Sequence, residues 1–471
     1  MRRVDLWPIG LLLMLVATVS AQNKPMLFGL DEVPQSLMIN PGATLMQDAH
    51  IGVPLASGFH LNVGSSGVSL YDVVGKQDGD ITQNISSVLK SLNDRDFFTL
   101  TQQLELLNFG WRSGRKRYYS GGIYQELDMI TYFPKDWFTL AWNGNADYLD
   151  YPFKFDHINA RMDALSVFHF GVNQSIGRHW TVGARVKIYN SILSVSSLNN
   201  KGSFTTSLSA GDSDNYYAQK LSRAEVSIQT SGLSRFDDGF TQADLISSSL
   251  LGGNLGLGID VGATYTFDDQ LKVSASLQDL GAIFHASDVK TYQAVGNKLI
   301  EGIELDFPVL SSGQSPPPYY AIFENELEAA VPIDTLYSAY TQWRPVKFNA
   351  GISYGFGPAA PGSPACNCTK KGKPFTLESE VGFQYFAIKR PKGIQMAATV
   401  FYLRRLYRFL LIKSTYTIDA LSATNIGLGV VGDFGNFNIY LAGDHALKYG
   451  NLAKARGLSV QFGLNFKFLE K

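Results

Sequence analysis

Residues 255–277, LGLGIDVGATYTFDDQLKVSASL, alternate apolar and small polar side chains along two arms. Leu255, Leu257, Ile259, Val261, Ala263, Tyr265 and Phe267 take the odd positions; Gly256, Gly258, Asp260, Gly262, Thr264 and Thr266 take the even ones. After a turn at Asp268-Asp269-Gln270, Leu271, Val273, Ala275 and Leu277 alternate with Lys272, Ser274, Ser276 and Gln278. Successive side chains on a strand point to opposite faces, so this is a hairpin with one apolar face and one small, polar face. A soluble sandwich shows the same alternation. Length separates the two cases: each arm alternates for about ten residues or more, past the usual five or six of a globular strand and near the 9–11 that a tilted strand needs to cross a bilayer. Tyr265 and Phe267 sit at the turn end, where a membrane interface favours aromatic rings. The apolar face is therefore read as facing lipid and the polar face as lining a barrel.

The pattern recurs along the chain. Phe59, Leu61 and Val63 open it. RYYSGGIYQELDMITYF turns at Pro134-Lys135-Asp136 into WFTLAWNGNADYL, and MDALSVFHFGVNQSI turns at Gly177-Arg178-His179 into WTVGARVKIYNSIL. Trp137 and Trp180 follow those turns as girdle residues would. The last third is the clearest: Val346 to Phe356, LESEVGFQYFAIK, GIQMAATVFYL, YRFLLIKSTYTI, NIGLGVVGDFG, NFNIYLAGDHAL and LSVQFGLNFKF. If Phe468 lies at the periplasmic end, counting back places Asp268 and the Cys366–Cys368 loop at that end too. The count before residue 255 is off by one, so a strand there is missed or misassigned.

The start of the chain has the form of a secretory signal. Arg2 and Arg3 precede an apolar run from Leu6 to Val16, and Val19-Ser20-Ala21 fits cleavage after Ala21. Residues 22–49 are broken by Pro25, Pro34 and Pro41 yet carry Met26, Leu27, Phe28, Leu30, Leu37, Met38 and Ile39. Such a segment must pack on something, either inside the barrel as a plug or over its periplasmic rim. Residues 50–471 form one body with no dividing linker. High glycine (45), tyrosine (23) and phenylalanine (30) with 17% charged residues fit a membrane barrel. They fit a secreted all-β protein as well. A net charge of −1 gives nothing to attract nucleic acid.

Loops fall between these strands. Residues 80–93 read as a short helix, with Ile81, Ile85, Val88, Leu89 and Leu92 on one face. Residues 197–235 read as a long surface loop, with room for its own hairpin. FTQADLISSSLL is helix-like, and residues 286–333, with Pro316-Pro317-Pro318 and Glu324, Glu326 and Glu328, read as a second external excursion. Cys366 and Cys368 stand in a Gly/Pro-rich loop with no other cysteine, too few for a disulfide framework or a closed metal site.

Three stretches resemble outer-membrane barrels of FadL and PorV type. Gly256 to Ala263 followed by SASLQDLG resembles their G-x-D-x-G…NLG hairpin. Ala442-Gly443-Asp444-His445-Ala446-Leu447 is similar to a D-N-L before the last strand, with His-Ala replacing Asn. Gln35-Ser36-Leu37-Met38-Ile39-Asn40-Pro41-Gly42 is similar to their N-terminal N-P-A/G segment, and most of all to an uncharacterised family with a PQSLM-x-NPG start. The resemblance implies about 14 strands within a range of 12–16, an N-terminal plug that includes Asn40, Pro41 and Gly42, and passage of hydrophobic molecules. PorV-type relatives serve type IX secretion and gliding.

The polar face supplies the candidate lumen residues: Glu126, Asp128, Arg185, Lys187, Asp260, Lys347, Glu378 and Glu380. They can form cross-lumen ion pairs that rigidify the barrel, or a charged constriction that selects solutes. The seven histidines are scattered, and no phosphate loop occurs. Asp444-His445 is the one pair resembling a hydrolase rim. The expectation is a non-enzymatic, all-β transmembrane antiparallel barrel in the cell outer membrane, without cofactor or metal. It would pass or bind a small hydrophobic molecule, with outer-membrane lipid around it. The alternative is a non-transporting partner of other envelope proteins in a type IX secretion, gliding or surface assembly.

Overall fold

The computed structural model describes residues 24–75, 80–209, 216–234, 253–268, 270–300, 332–361, 363 and 375–468. Residues 1–21, Asp269, all of FTQADLISSSLL, Pro316 to Pro318, Glu324, Glu326, Glu328, Cys366 and Cys368 lie outside them.

The chain forms a closed antiparallel barrel of 14 strands. In order they are β1 (Ala49–Gly52 and Phe59–Ser65), β2 (Phe97–Ser113), β3 (Arg117–Tyr132), β4 (Ala160–Ile176), β5 (Trp180–Ser197), β6 (Leu255–Thr266) and β7 (Leu271–His285). Then follow β8 (Tyr340–Trp343 and Lys347–Ala359), β9 (Leu377–Arg390), β10 (Gly393–Tyr407), β11 (Leu410–Ile418), β12 (Asn425–Phe434), β13 (Phe437–Asp444) and β14 (Gly457–Phe468). Each pairs with its sequence neighbours, and β14 pairs back onto both halves of β1. Closure removes the unpaired edges that a lipid environment would not tolerate.

The outward row of β6 is Leu255, Leu257, Ile259 and Val261, all exposed, while Asp260 and Thr264 are buried inside. Around the barrel Val186, Ile188, Leu277, Ile352, Val381, Val400, Val430 and Leu441 continue this apolar belt. Aromatic clusters sit near the end with the short turns: Trp111 with Tyr119 and Phe170, Trp180 with Tyr265 and Phe267, and Tyr407 with Phe409 and Phe434. An apolar belt bordered by rings is the outer surface of a transmembrane barrel.

Antiparallel order puts the turns at 114–116, 177–179, 267–270, 408–409 and 435–436 at the same end as Ala49 and Phe468. The connections after β1, β3, β5 and β7 leave the opposite end. There Tyr217–Ser231 pairs with Lys201–Leu208 and with Val289–Ile300, which in turn pairs with Ile333–Leu336. The polar stretch after β5 and the excursion after β7 thus join in one sheet that extends β5 beyond the barrel.

Two assignments before residue 255 are corrected. Residues 97–113, unassigned by periodicity, are β2. A bulge between Glu105 and Leu107 breaks the alternation there, so the outward row passes from Phe98, Leu100, Gln102 and Leu104 to Leu107, Phe109 and Trp111. WFTLAWNGNADYL, read as a strand, is instead the helix Lys135–Asn143, entered from Pro134. Proline lacks a donor and is tolerated at a helix start. Trp137 is therefore no girdle residue: its indole donates to the Lys154 carbonyl at 3.0 Å. These errors offset each other, so five strands precede residue 255 on either assignment and the count there is not off by one. The helix Ile81–Ser91 is present, with Asp80 capping the Thr82 N–H. It packs Leu89 and Val88 on Phe133 and Val68 at the long-loop end.

Candidate functional site

Residues 24–48 run through the barrel interior. Met26, Leu27, Leu30, Val33, Gln35 and Ile39 are buried there. Its one regular element is the short 3-10 helix Pro34–Met38, and wall side chains satisfy much of its free backbone. Lys413 of β11 donates to the carbonyls of Pro25, Met26 and Phe28. Lys467 of β14 donates to the Glu32 carbonyl at 2.9 Å, and Arg405 of β10 pairs with the Glu32 carboxylate at 2.7 Å. Lys272 of β7 pairs with Asp31 at 2.7 Å. Gln35 donates to Ser57 O, Glu105 and Asn465 at 2.8–3.0 Å. Buried polar groups need such partners, because each unmet one costs about 1–3 kcal/mol.

The turn at Asn40-Pro41-Gly42 lies directly on β5 and β6. Asn173 of β4 donates to the carbonyls of Pro41 and Ala43 at 2.8 and 2.9 Å. A Cβ on Gly183 would fall 2.0 Å from Pro41 O, and one on Gly262 would fall 2.0 Å from Asn40 Oδ1. Gly183 is required because the Pro41 main chain touches the wall there, and at Gly262 the Asn40 side chain fills the same kind of space.

Beside this contact stands an ion-pair cluster on β3 to β9. Asp260 accepts from Arg185 Nε at 2.8 Å and from Lys187 at 2.9 Å. Lys187 and Lys347 both reach Asp279, at 2.6 and 2.8 Å. Glu126 binds Arg344 at 2.7 Å and lies 3.7 Å from Lys347, and Asp128 binds Arg390. Arg185 also donates to the carbonyls of Leu37 and Met38, tying the cluster to the inner segment. A cavity of about 70 Å³ remains among these charges, lined on its apolar side by Met38, Ile39, Tyr124, Phe386 and Ile388. Below the segment lies a second cavity of about 100 Å³, between Glu32, Arg405, Lys467 and the apolar Tyr407, Phe409 and Leu411.

Six of the eight residues expected in the lumen, Glu126, Asp128, Arg185, Lys187, Asp260 and Lys347, meet in that cluster. Glu380 is buried but lies apart, 4.0 Å from Arg405. Glu378 is at the rim, paired with the half-exposed Arg404 at 3.0 Å. Among the described residues no group of three His, Cys, Asp or Glu side chains gathers to hold a metal.

The model for a family of unknown function, DUF5723, matches residues 41–444. The chain belongs to this family. No curated protein matches the sequence. Among solved structures, the toluene transporter TbuX of Ralstonia pickettii is similar at 12% identity and a TM-score of 0.41, with 93% of this chain and 94% of that one covered. A FadL homologue of Pseudomonas aeruginosa is similar at 9% identity and a TM-score of 0.44, covering 96% and 100%. The monoaromatic hydrocarbon channel CymD is similar at 10% identity and a TM-score of 0.39, covering 94% of each chain.

In this DUF5723 chain, periodicity misses Asp279. Simple alternation from Leu277 points it at lipid, but a bulge opposite Ile259–Val261 leaves Asp279 at φ 59° with both Gln278 and Asp279 facing inward. Arg390 was within reach of the same count, being on the even row with Gln384, Phe386 and Ile388. Arg344 lies between the two halves of β8, outside any alternating run.

Proposed function

We propose that this chain is an outer-membrane barrel that admits a small hydrophobic molecule to its lumen, with residues 24–48 as a plug that must shift for passage. The observation that carries this reading is the inner segment itself. It crosses the lumen and separates the ion-lined cavity from the one near the short-turn end. A cavity of about 70 Å³ has room for only a few waters. A larger solute therefore needs the segment to yield. The apolar lining by Met38, Ile39, Phe386 and Ile388 gives such a solute a surface to rest on. On this reading residues 1–21 direct export and are removed.

The test compares the full mature chain with a variant lacking residues 24–42, both in planar bilayers and in vesicles loaded with a solvatochromic dye that reports hydrocarbon entry. The full chain should conduct ions poorly and the truncated chain well. Entry of a monoaromatic hydrocarbon should be faster with the full chain than in empty vesicles, and Phe386→Glu should slow it. Entry no faster than in empty vesicles rejects the uptake reading. Equal conductance of the two chains rejects the plug.

A further inference from the structure

Thr415 on β11, Asp444 on β13, Ser459 on β14 and Asn62 on β1 form one row around the inner wall. Thr415 stands opposite Gly427 of β12, Asp444 opposite Ser459, and Ser459 opposite Asn62. Asp444 and Ser459 are 0% exposed, Thr415 3% and Asn62 4%. Apart from a weak contact of the Ser459 hydroxyl with the Asp444 carboxylate, no hydrogen bond reaches either Asp444 oxygen, Thr415 Oγ1 or Asn62 Oδ1. Two of these oxygens converge: a Cβ on Gly427 would lie 2.5 Å from both Thr415 Oγ1 and Asp444 Oδ1. Met26 Cε of the inner segment would lie 2.6 Å from the same point and so covers the gap from the lumen. The ammonium of Lys413, on the same face of β11, is turned to three carbonyls of the inner segment.

A buried carboxylate with a single weak donor is costly, and it is stabilised by a proton, a water cluster or a cation. Oxygen donors without nitrogen or sulfur suit a hard cation, and one formal charge among neutral oxygens suits a monovalent one. We propose that Asp444, with Thr415 and Ser459, holds a single alkali-metal cation under Met26. The bound ion fastens the wall of β11 to β14 beneath the start of the inner segment. This site is separate from the ion-pair cluster and does not depend on the uptake reading.

The test is thermal unfolding of the detergent-purified protein in sodium, potassium or choline chloride at one ionic strength. Wild type should show a saturable rise in Tm of several degrees in sodium or potassium over choline. Thr415→Val should need at least tenfold more salt for the same rise, and Asp444→Asn should show none. If Asp444→Asn does not fold, the Thr415→Val titration decides. Equal Tm in all three salts, or the same alkali-specific rise in wild type and variants, overturns the site and leaves Asp444 as a protonated or hydrated group.

Discussion

Arg185 donates from Nε to Asp260 Oδ2 at 2.8 Å while its Nη1 donates to the carbonyl of Leu37 at 3.1 Å. One guanidinium thus closes a wall ion pair and holds the inner segment. Both side chains are buried, so removing one leaves an uncompensated charge at about 3–5 kcal/mol. Asp260→Ala should lower the urea midpoint in vesicles by a corresponding amount. Replacing both, as Arg185→Met with Asp260→Leu, should restore most of the barrel's stability while loosening residues 37–38, seen as faster hydrogen exchange there.

Contact between main chain and wall at Gly183 gives a second expectation. Valine at 183 would put carbon where Pro41 O now lies. Gly183→Val should displace the Asn40-Pro41-Gly42 turn and raise single-channel conductance, with the barrel still folded. Gly296→Ala, whose added Cβ would come no nearer than 4.0 Å to Leu221, should leave conductance unchanged.

The apolar belt predicts a cost that depends on depth. Ile259 is outward on β6. Ile259→Arg should destabilise the barrel in vesicles by about 2–4 kcal/mol if it meets the bilayer midplane. A value near zero would mean that this face is wetted by water.

Asp419, just past the end of β11, is pushed up to about 6 by burial, against hydrogen bonds from Asn425 and the Ser422 and Leu421 N–H groups. Its folded form thus holds a proton more tightly than the unfolded chain. The contribution to stability is full below the unfolded carboxyl range near 4 and is lost as pH rises through about 6. About two pH units correspond to about 3 kcal/mol. Asp419→Asn should flatten the wild-type fall in stability between pH 4 and pH 7, followed by urea melts across that range.

The rim pair offers a contrast. Glu378 and Arg404 meet where Arg404 is 49% exposed. Exposed pairs contribute little because water and salt screen them. Glu378→Gln should leave both Tm and ion selectivity unchanged.

The β6–β7 hairpin was legible because both of its arms alternate without interruption up to Leu277. The same count failed for β2, where a bulge at Glu105–Leu107 swaps the faces, and for Asp279, where another does so. The helix Lys135–Asn143 reads as a strand from its sequence because its apolar residues follow a turn, a setting shared by Trp180 at the start of β5. Of the lumen charges, Glu126, Arg185 and Asp260 follow from regular rows, Arg390 lies on such a row yet is absent from the candidates, and Arg344, between two half-strands, has no row to place it.

Sequence by itself determined the period of two, and with it which residues are greasy and which are small or charged. That property is local, set by neighbours on one strand. Tertiary structure alone decided which carboxylate meets which cation and where residues 24–48 come to rest. Those outcomes depend on register between strands far apart in the chain, and a single extra residue in a bulge reverses every face beyond it.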